Sequence, residues 1–266
     1  MSTAIDKPAL CDQLGDELYE ALMARRTVAP LTSRGLGLDL DDAYRIQQRM
    51  IQRRTDAGET VIGKKIGVTS KVVQNMLGVH QPDFGFLTNL MHYKSGEDMP
   101  IGKLLIQPRA EGEIAFVLKK GLSGPGVTEA DVLEATDYVS PCFEIVDSRI
   151  ENWKIKIQDT VSDNASCGLF VIGDAKVDPK TLDLPGVKMT VTKNGKPLSE
   201  GFGSAALGSP LTCVAWLANT LGEFGITLDA GDIVLSGSLV PLEPVVPGDV
   251  MSLHAEGIGE CSVRFT

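Results

Sequence analysis

The 266 residues, 43% hydrophobic and 23% charged, make a globular chain long enough to enclose a sizeable core, which excludes a disordered protein. A formal net charge of -10 with no large Lys/Arg cluster excludes a nucleic-acid-binding surface, because phosphate contacts need grouped cations. The five cysteines (Cys11, Cys142, Cys167, Cys213, Cys261) are odd in number, scattered and without a Cys-x-x-Cys pair, which suits reduced thiols and argues against a disulfide framework or a structural zinc.

Met1 to Leu10 lacks the apolar segment of a signal peptide, and no apolar run nears the ~20 residues of a membrane span, so a soluble, cytoplasmic protein is expected. Leu10, Leu14, Leu18 and Leu22 recur at helical spacing and predict an amphipathic helix ending near Arg25-Arg26. After a loop with Pro30, Gly35 and Gly37, Asp39 is placed to cap a second helix that buries Ala43, Ile46 and Met50 and stops at Gly58. Residues 1–60 thus form a helical section, and 61–266 a strand-rich catalytic domain packed with it as one unit.

Val61 to Val68 reads as a strand, Ser70 as the cap of a short helix ended by Gly78, and Pro82 to Gly85 as a turn-rich loop. Glu111 to Leu118 and Tyr138 to Val146 read as strands, and Asp159 to Gly168 as a polar loop before another. Asn194-Gly195 between two short runs predicts a hairpin with a type I′ turn. Leu211 to Leu221 predicts a helix, and Ile233 to Ser236, Val250 to His254 and Cys261 to Phe265 predict closing strands. The sum is an α+β chain dominated by a curled antiparallel or mixed sheet.

Chemistry concentrates in a few segments. In Glu111-Gly112-Glu113-Ile114 the alternation of a strand puts both carboxylates on one face. A Glu-x-Glu pair is ordinarily a solvated face, but here it lies in an apolar strand, and Glu144 lies in another, between Phe143 and Ile145. Three such carboxylates make an all-oxygen site suited to Mg²⁺ or Mn²⁺ rather than zinc. Lys64 and Lys65 must point to opposite faces of their strand, so one at most serves a site, the other being solvated or packed by its stem. The polar stretch Asp159 to Gly168 could seat a carboxylate or merely cap itself, and Ser236-Gly237-Ser238 alone reads as a turn. His80, His92 and His254 have no evident nucleophile partner, and no Gly-x-Ser-x-Gly elbow occurs.

Five pieces in this order carry a resemblance: Gly63-x-Lys65-Ile66-Gly67-x-Thr69, Gln81-Pro82-Asp83-Phe84-Gly85, Glu111-x-Glu113, Glu144 to Arg149, and Asp159-Thr160-Val161-x-Asp163-Asn164-Ala165-Ser166. Together they resemble the 2-hydroxypentadienoate (2-oxopent-4-enoate) hydratases of aromatic meta-cleavage degradation, in the fumarylacetoacetate hydrolase superfamily. The resemblance implies N-terminal helices preceding a curled mixed β-roll of that superfamily's C-terminal-domain type. It implies Glu111, Glu113 and Glu144 as metal ligands, Lys65 and Asp83 as catalytic residues, and Ser166 and Ser238 as substrate contacts. It also implies a small 2-oxo or 2-enol carboxylic acid as substrate, a homo-oligomer, and room for association with a pathway decarboxylase or aldolase. The sister 4-oxalocrotonate decarboxylases share the triad and the Lys motif and are the alternative activity. A scaffold partner without catalysis is the alternative of another class. An acid–base role for Asp83 requires burial beside Phe84 to raise its pKa.

Overall fold

The computed structural model describes residues 6–266, so residues 1–5 of the expected helical section lie outside it. Asp6 caps helix α1, Lys7–Ala24, which ends on Arg25 at φ 50. Asp39 caps α2, Leu40–Asp56, in a reciprocal box with Asp42. Leu14, Leu18 and Ala21 of α1 close on Ile46 and Met50 of α2, with Leu31 and Ile150 completing this apolar cluster. Another stripe of α2 (Ala43, Tyr44, Ile51) enters the main core. One helix therefore joins the N-terminal section to the sheet.

The following elements are β1 (Val61–Gly67), α3 (Lys71–Leu77), β2 (Asp83–Thr88), β3 (His92–Lys94), β4 (Asp98–Met99), α4 (Ile101–Leu104) and β5 (Arg109–Leu118). Then come α5 (Glu129–Ala135), β6 (Thr136–Val146), α6 (Ile157–Ser162), β7 (Cys167–Ile172), β8 (Lys188–Lys193) and β9 (Lys196–Phe202). The chain closes with α7 (Pro210–Glu223), β10 (Ile233–Leu235), β11 (Glu243–Pro244), β12 (Val250–Ala255) and β13 (Gly259–Phe265).

Among the described residues, an eight-stranded mixed sheet runs β2-β1-β10-β5-β6-β7-β3 with β11 on β5, and a five-stranded sheet runs β4-β13-β12-β8-β9. The outer strands of the larger sheet, β2 and β3, do not pair with each other, so it is an open roll and not a closed barrel. Met189 and Leu253 of the second sheet press on Gly112 of β5, where a Cβ would fall 2.6 Å from the Met189 sulfur. The hairpin β8–β9 turns on Asn194 (φ 54) and Gly195 (φ 75), as its sequence predicts. The architecture is the α+β roll preceded by helices.

Two expectations change. Asp83–Thr88 is a fully buried strand, not part of a turn-rich loop. Its outer edge is satisfied by Asn164, whose amide accepts from Phe86 N at 2.8 Å and donates to Phe86 O at 2.9 Å. The polar stretch 159–168 is ordered as the end of α6, a 3₁₀ turn over Asn164–Ser166, and the start of β7. Asp159 accepts from Lys156 N and from Thr32, and Asp163 from Arg149 N at 2.8 Å. Those side chains hold the segment together. The short α5 was not anticipated from the sequence; Thr128 caps it.

Candidate active site

Strand register decides which side chains meet. Glu111 of β5 stands opposite Glu144 of β6, and Glu113 opposite Cys142. Ala115 stands opposite Leu235, Leu235 opposite Lys65, and Gly67 opposite Asp83. Register partners, and residues two apart on a strand, share a face. Glu111, Glu113, Glu144, Lys65 and Asp83 therefore all project from one face of the larger sheet, and Lys64, Phe84 and Phe116 from the other.

An oxygen of each of Glu111, Glu113 and Glu144 lies within 4.8 Å of the others. Glu113 and Glu144 are 0% exposed, while Glu111 is half-buried and marks the open side. Glu113 Oε2 accepts from Gly237 N at 2.8 Å, but Glu113 Oε1 and both Glu144 oxygens lack any hydrogen-bond partner. Such orphaned acids are costly. Burial first, and then the charge of Glu144, raise the pKa of Glu111 to about 7; burial, Glu144 and Glu111 raise that of Glu113 well above the carboxylate range. A hard divalent cation relieves both penalties, and the all-oxygen donor set fits it.

Lys65 is 3% exposed, with Nζ 3.3 Å from Glu144 Oε1. Burial acts to lower its pKa, but Glu144 and then Asp83 outweigh burial and the net shift is upward, so the ammonium persists. Asp83 is 1% exposed and neither of its oxygens has a hydrogen-bond partner. Burial raises its pKa and Lys65 offsets part of the rise. Phe84 is not the cause: it faces the other side of the strand and stacks on Tyr44 at 4.4 Å. Gly67 makes the room, since a Cβ there would lie 2.3 Å from Asp83 Oδ1. The spacing Lys65-x-Gly67 thus sets a charge and a gap side by side on the site face.

Ser238 Oγ donates to Val240 O at 2.5 Å and, beside Glu111, helps to lower that carboxyl's pKa. Ser166 is buried at φ 54, the last of three left-handed residues after Asn164 and Ala165, with its hydroxyl 3.0 Å from Thr160 Oγ1. Sequence reasoning missed the Gly237 amide on Glu113. Its signal was the Ser-Gly-Ser after an apolar strand, where φ 94 and the close approach of Thr69, 2.5 Å from a Cβ, require glycine. It also missed Cys167 beside Glu144: burial raises the pKa of that carboxyl, and Lys65 and then the Cys167 thiol offset part of the rise, yet nothing in the sequence marks that cysteine.

Lys64 is not solvated. It is 5% exposed, with Nζ 2.6 Å from Asp232 Oδ2 and 3.2 Å from Thr227 O. The two lysines should fail differently on replacement. Lys64→Ala leaves a buried carboxylate unpaired and should cost about 3–5 kcal/mol of stability. Lys65→Ala should lower kcat/KM about a hundredfold by removing a charged donor from the site. Calorimetric melting alongside steady-state kinetics checks this; equal kinetic losses in both variants would contradict the two-face assignment.

The fumarylacetoacetate (FAA) hydrolase C-terminal family matches residues 65–266. A 2-hydroxypent-2,4-dienoate hydratase of Pseudomonas putida is 70% identical over 217 residues, 82% of this chain and 98% of the relative. A 2-hydroxyhexa-2,4-dienoate hydratase of Comamonas testosteroni is 60% identical over 253 residues, 95% of this chain and 96% of the relative. A solved structure of 4-oxalocrotonate decarboxylase from Pseudomonas putida G7, complexed with magnesium and adipate, superposes with a TM-score of 0.94 at 34% identity, covering 97% of this chain and 98% of that one. With the family match running from Lys65 to the last residue, and so through the carboxylate trio and Asp83, the chain belongs to the fumarylacetoacetate hydrolase family.

Proposed function

We infer that the protein is a divalent-metal-dependent hydro-lyase of aromatic-compound catabolism. It adds water to 2-hydroxypenta-2,4-dienoate, or a close homologue, and yields 4-hydroxy-2-oxopentanoate. The observation that carries this reading is the trio of converging acids, with orphaned oxygens on Glu113 and Glu144, beside Lys65 and Asp83. It occurs in a chain 70% and 60% identical to relatives named as dienoate hydratases. The decarboxylase structure, at 34% identity, is more distant.

Glu111, Glu113 and Glu144 would hold the cation, which we take to be Mg²⁺ or Mn²⁺ and which, when bound, supplies Lewis acidity toward the 2-oxo acid. Lys65 presents a fixed ammonium to the negative charge that grows on the C2 oxygen as the dienol loses its proton. Asp83, whose pKa burial raises, gives a proton to C5 from its protonated form, which produces the conjugated 2-oxo-3-enoate. As a carboxylate it then takes a proton from the water attacking C4, and C3 takes up, through solvent, the equivalent of the proton released from the 2-hydroxyl, which completes the addition. Ser166 and Ser238 would contact the substrate. The buried free cysteines suit a reducing cytosol. Exposed Leu198 and Phe202 on edge strand β9 suit a homo-oligomer. Among the described residues no helix is long and apolar enough to cross a membrane.

The test mixes purified protein with freshly generated 2-hydroxypenta-2,4-dienoate, with and without Mg²⁺, and follows its ultraviolet band. The expected product is 4-hydroxy-2-oxopentanoate with no CO₂. Faster decarboxylation of 4-oxalocrotonate would assign the sister activity, and no turnover of either, with no rise in melting temperature on adding Mg²⁺, would leave a scaffold.

A further inference from the structure

Arg109 begins β5 two residues before Glu111, so it projects from the site face, one step beyond the half-buried end of the trio. It is itself half-buried. Among the described residues the Trp153 ring is the contact its guanidinium makes, 4.8 Å from the centroid, with no ion pair or hydrogen bond. The guanidinium fork is thus left free to take an anion.

The support under it is built. Asn152 and Trp153 both adopt φ 54, a conformation that bulky residues avoid. Trp153 Nε1 donates to Gln107 O at 3.1 Å, and Gln107 Nε2 donates to Ser148 O and Ile150 O at 2.9 Å each. These bonds tie the start of β5 to the chain leaving β6 and hold the indole plane under the guanidinium.

Lys65 and Asp83 come from β1 and β2, which flank the trio on the side of β10, whereas Arg109 extends the row of acids along β5. The geometry points to Arg109 as the residue that receives the substrate's carboxylate, stacked on Trp153, with the carbon chain directed across the trio toward Asp83. A planar guanidinium fork matches a carboxylate, and a flat aromatic support fixes its plane. This assignment rests on the reading of the substrate as a 2-oxo or 2-enol acid.

Pyruvate, the simplest 2-oxo acid, is the probe. Each of wild type, Arg109→Gln and Arg109→Lys is titrated calorimetrically with Mg²⁺ and then, Mg²⁺-loaded, with pyruvate. Arg109→Gln should bind pyruvate about ten- to a hundredfold more weakly while retaining Mg²⁺. Arg109→Lys should recover part of the loss, because the charge returns without the fork. With the dienoate the loss should fall mainly on KM. Unchanged pyruvate affinity in Arg109→Gln, or a loss explained by weaker Mg²⁺ binding, overturns the inference. Pyruvate binding is read without turnover, so a protein that binds it through Arg109 yet does not hydrate the dienoate refutes the hydratase reading alone.

Discussion

Glu113→Gln should fold as the wild type does, yet lose cation affinity by roughly a hundredfold or more, and most activity with it. The amide is isosteric and its oxygen can still accept from Gly237 N, now 2.8 Å from Glu113 Oε2, so the strand packing has no reason to change. What disappears is one of the negative charges with which the trio would hold a cation. Calorimetric titration with Mn²⁺ and kcat/KM at saturating metal measure the two losses. Full activity of this variant, or of the wild type in metal-stripped buffer, would remove the trio from the mechanism.

The same trio sets a pH dependence. Glu111 holds its proton up to about pH 7 in the metal-free protein, and burial with the charges of Glu144 and Glu111 pushes the Glu113 carboxyl upward as well. A cation must displace those protons, so its affinity should rise as pH climbs through about 7. For stability the sign is the reverse. A carboxyl whose folded pKa is raised favours the fold at low pH, and that contribution is lost as pH rises through the folded value. The metal-free melting temperature should therefore fall as pH rises from about 5 to about 7, between the ordinary and the raised Glu111 values, and Mg²⁺ should restore it.

Asp83→Asn should lower kcat by about a thousandfold, within the range expected for removal of a general acid–base group, and leave cation binding in place. Both oxygens of Asp83 lack hydrogen-bond partners and burial raises its pKa, so the proposed proton transfer, and not a structural bond, is what the substitution removes. Asparagine has the same shape against Gly67 and no proton to give. Solvent deuterium entering C5 should vanish together with turnover. A kcat within about tenfold of wild type, with deuterium still incorporated, would pass the proton transfer to another group.

Much of this molecule is written in local chemistry. Asp39 and Ser70 cap helices because a side-chain oxygen satisfies amides three residues on, and Asn194-Gly195 turns a hairpin because both residues accept positive φ. The shared face of Glu111 and Glu113 follows from the pleat of one strand, whatever that strand pairs with. The order of motifs from Gly63 to Ser166 carried the family and with it the fold.

Other features depend on partners far along the chain, and no local pattern contains them. Asp83 lies in a strand and not a turn because Asn164, 78 residues beyond Phe86, supplies the missing edge bonds. Lys64 is buried because Asp232, 168 residues away, neutralises it across β10. Alternation separates Lys64 from Lys65, but only the register through Leu235 to Ala115 shows which lysine shares the face of the acids. The Gly237 amide on Glu113, the thiol beside Glu144 and the stack of Arg109 on Trp153 likewise exist only once the distant segments have come together. Residue identities and spacings determine what each strand can present. Strand pairing decides what those side chains meet, because register is a property of two segments and is written in neither alone.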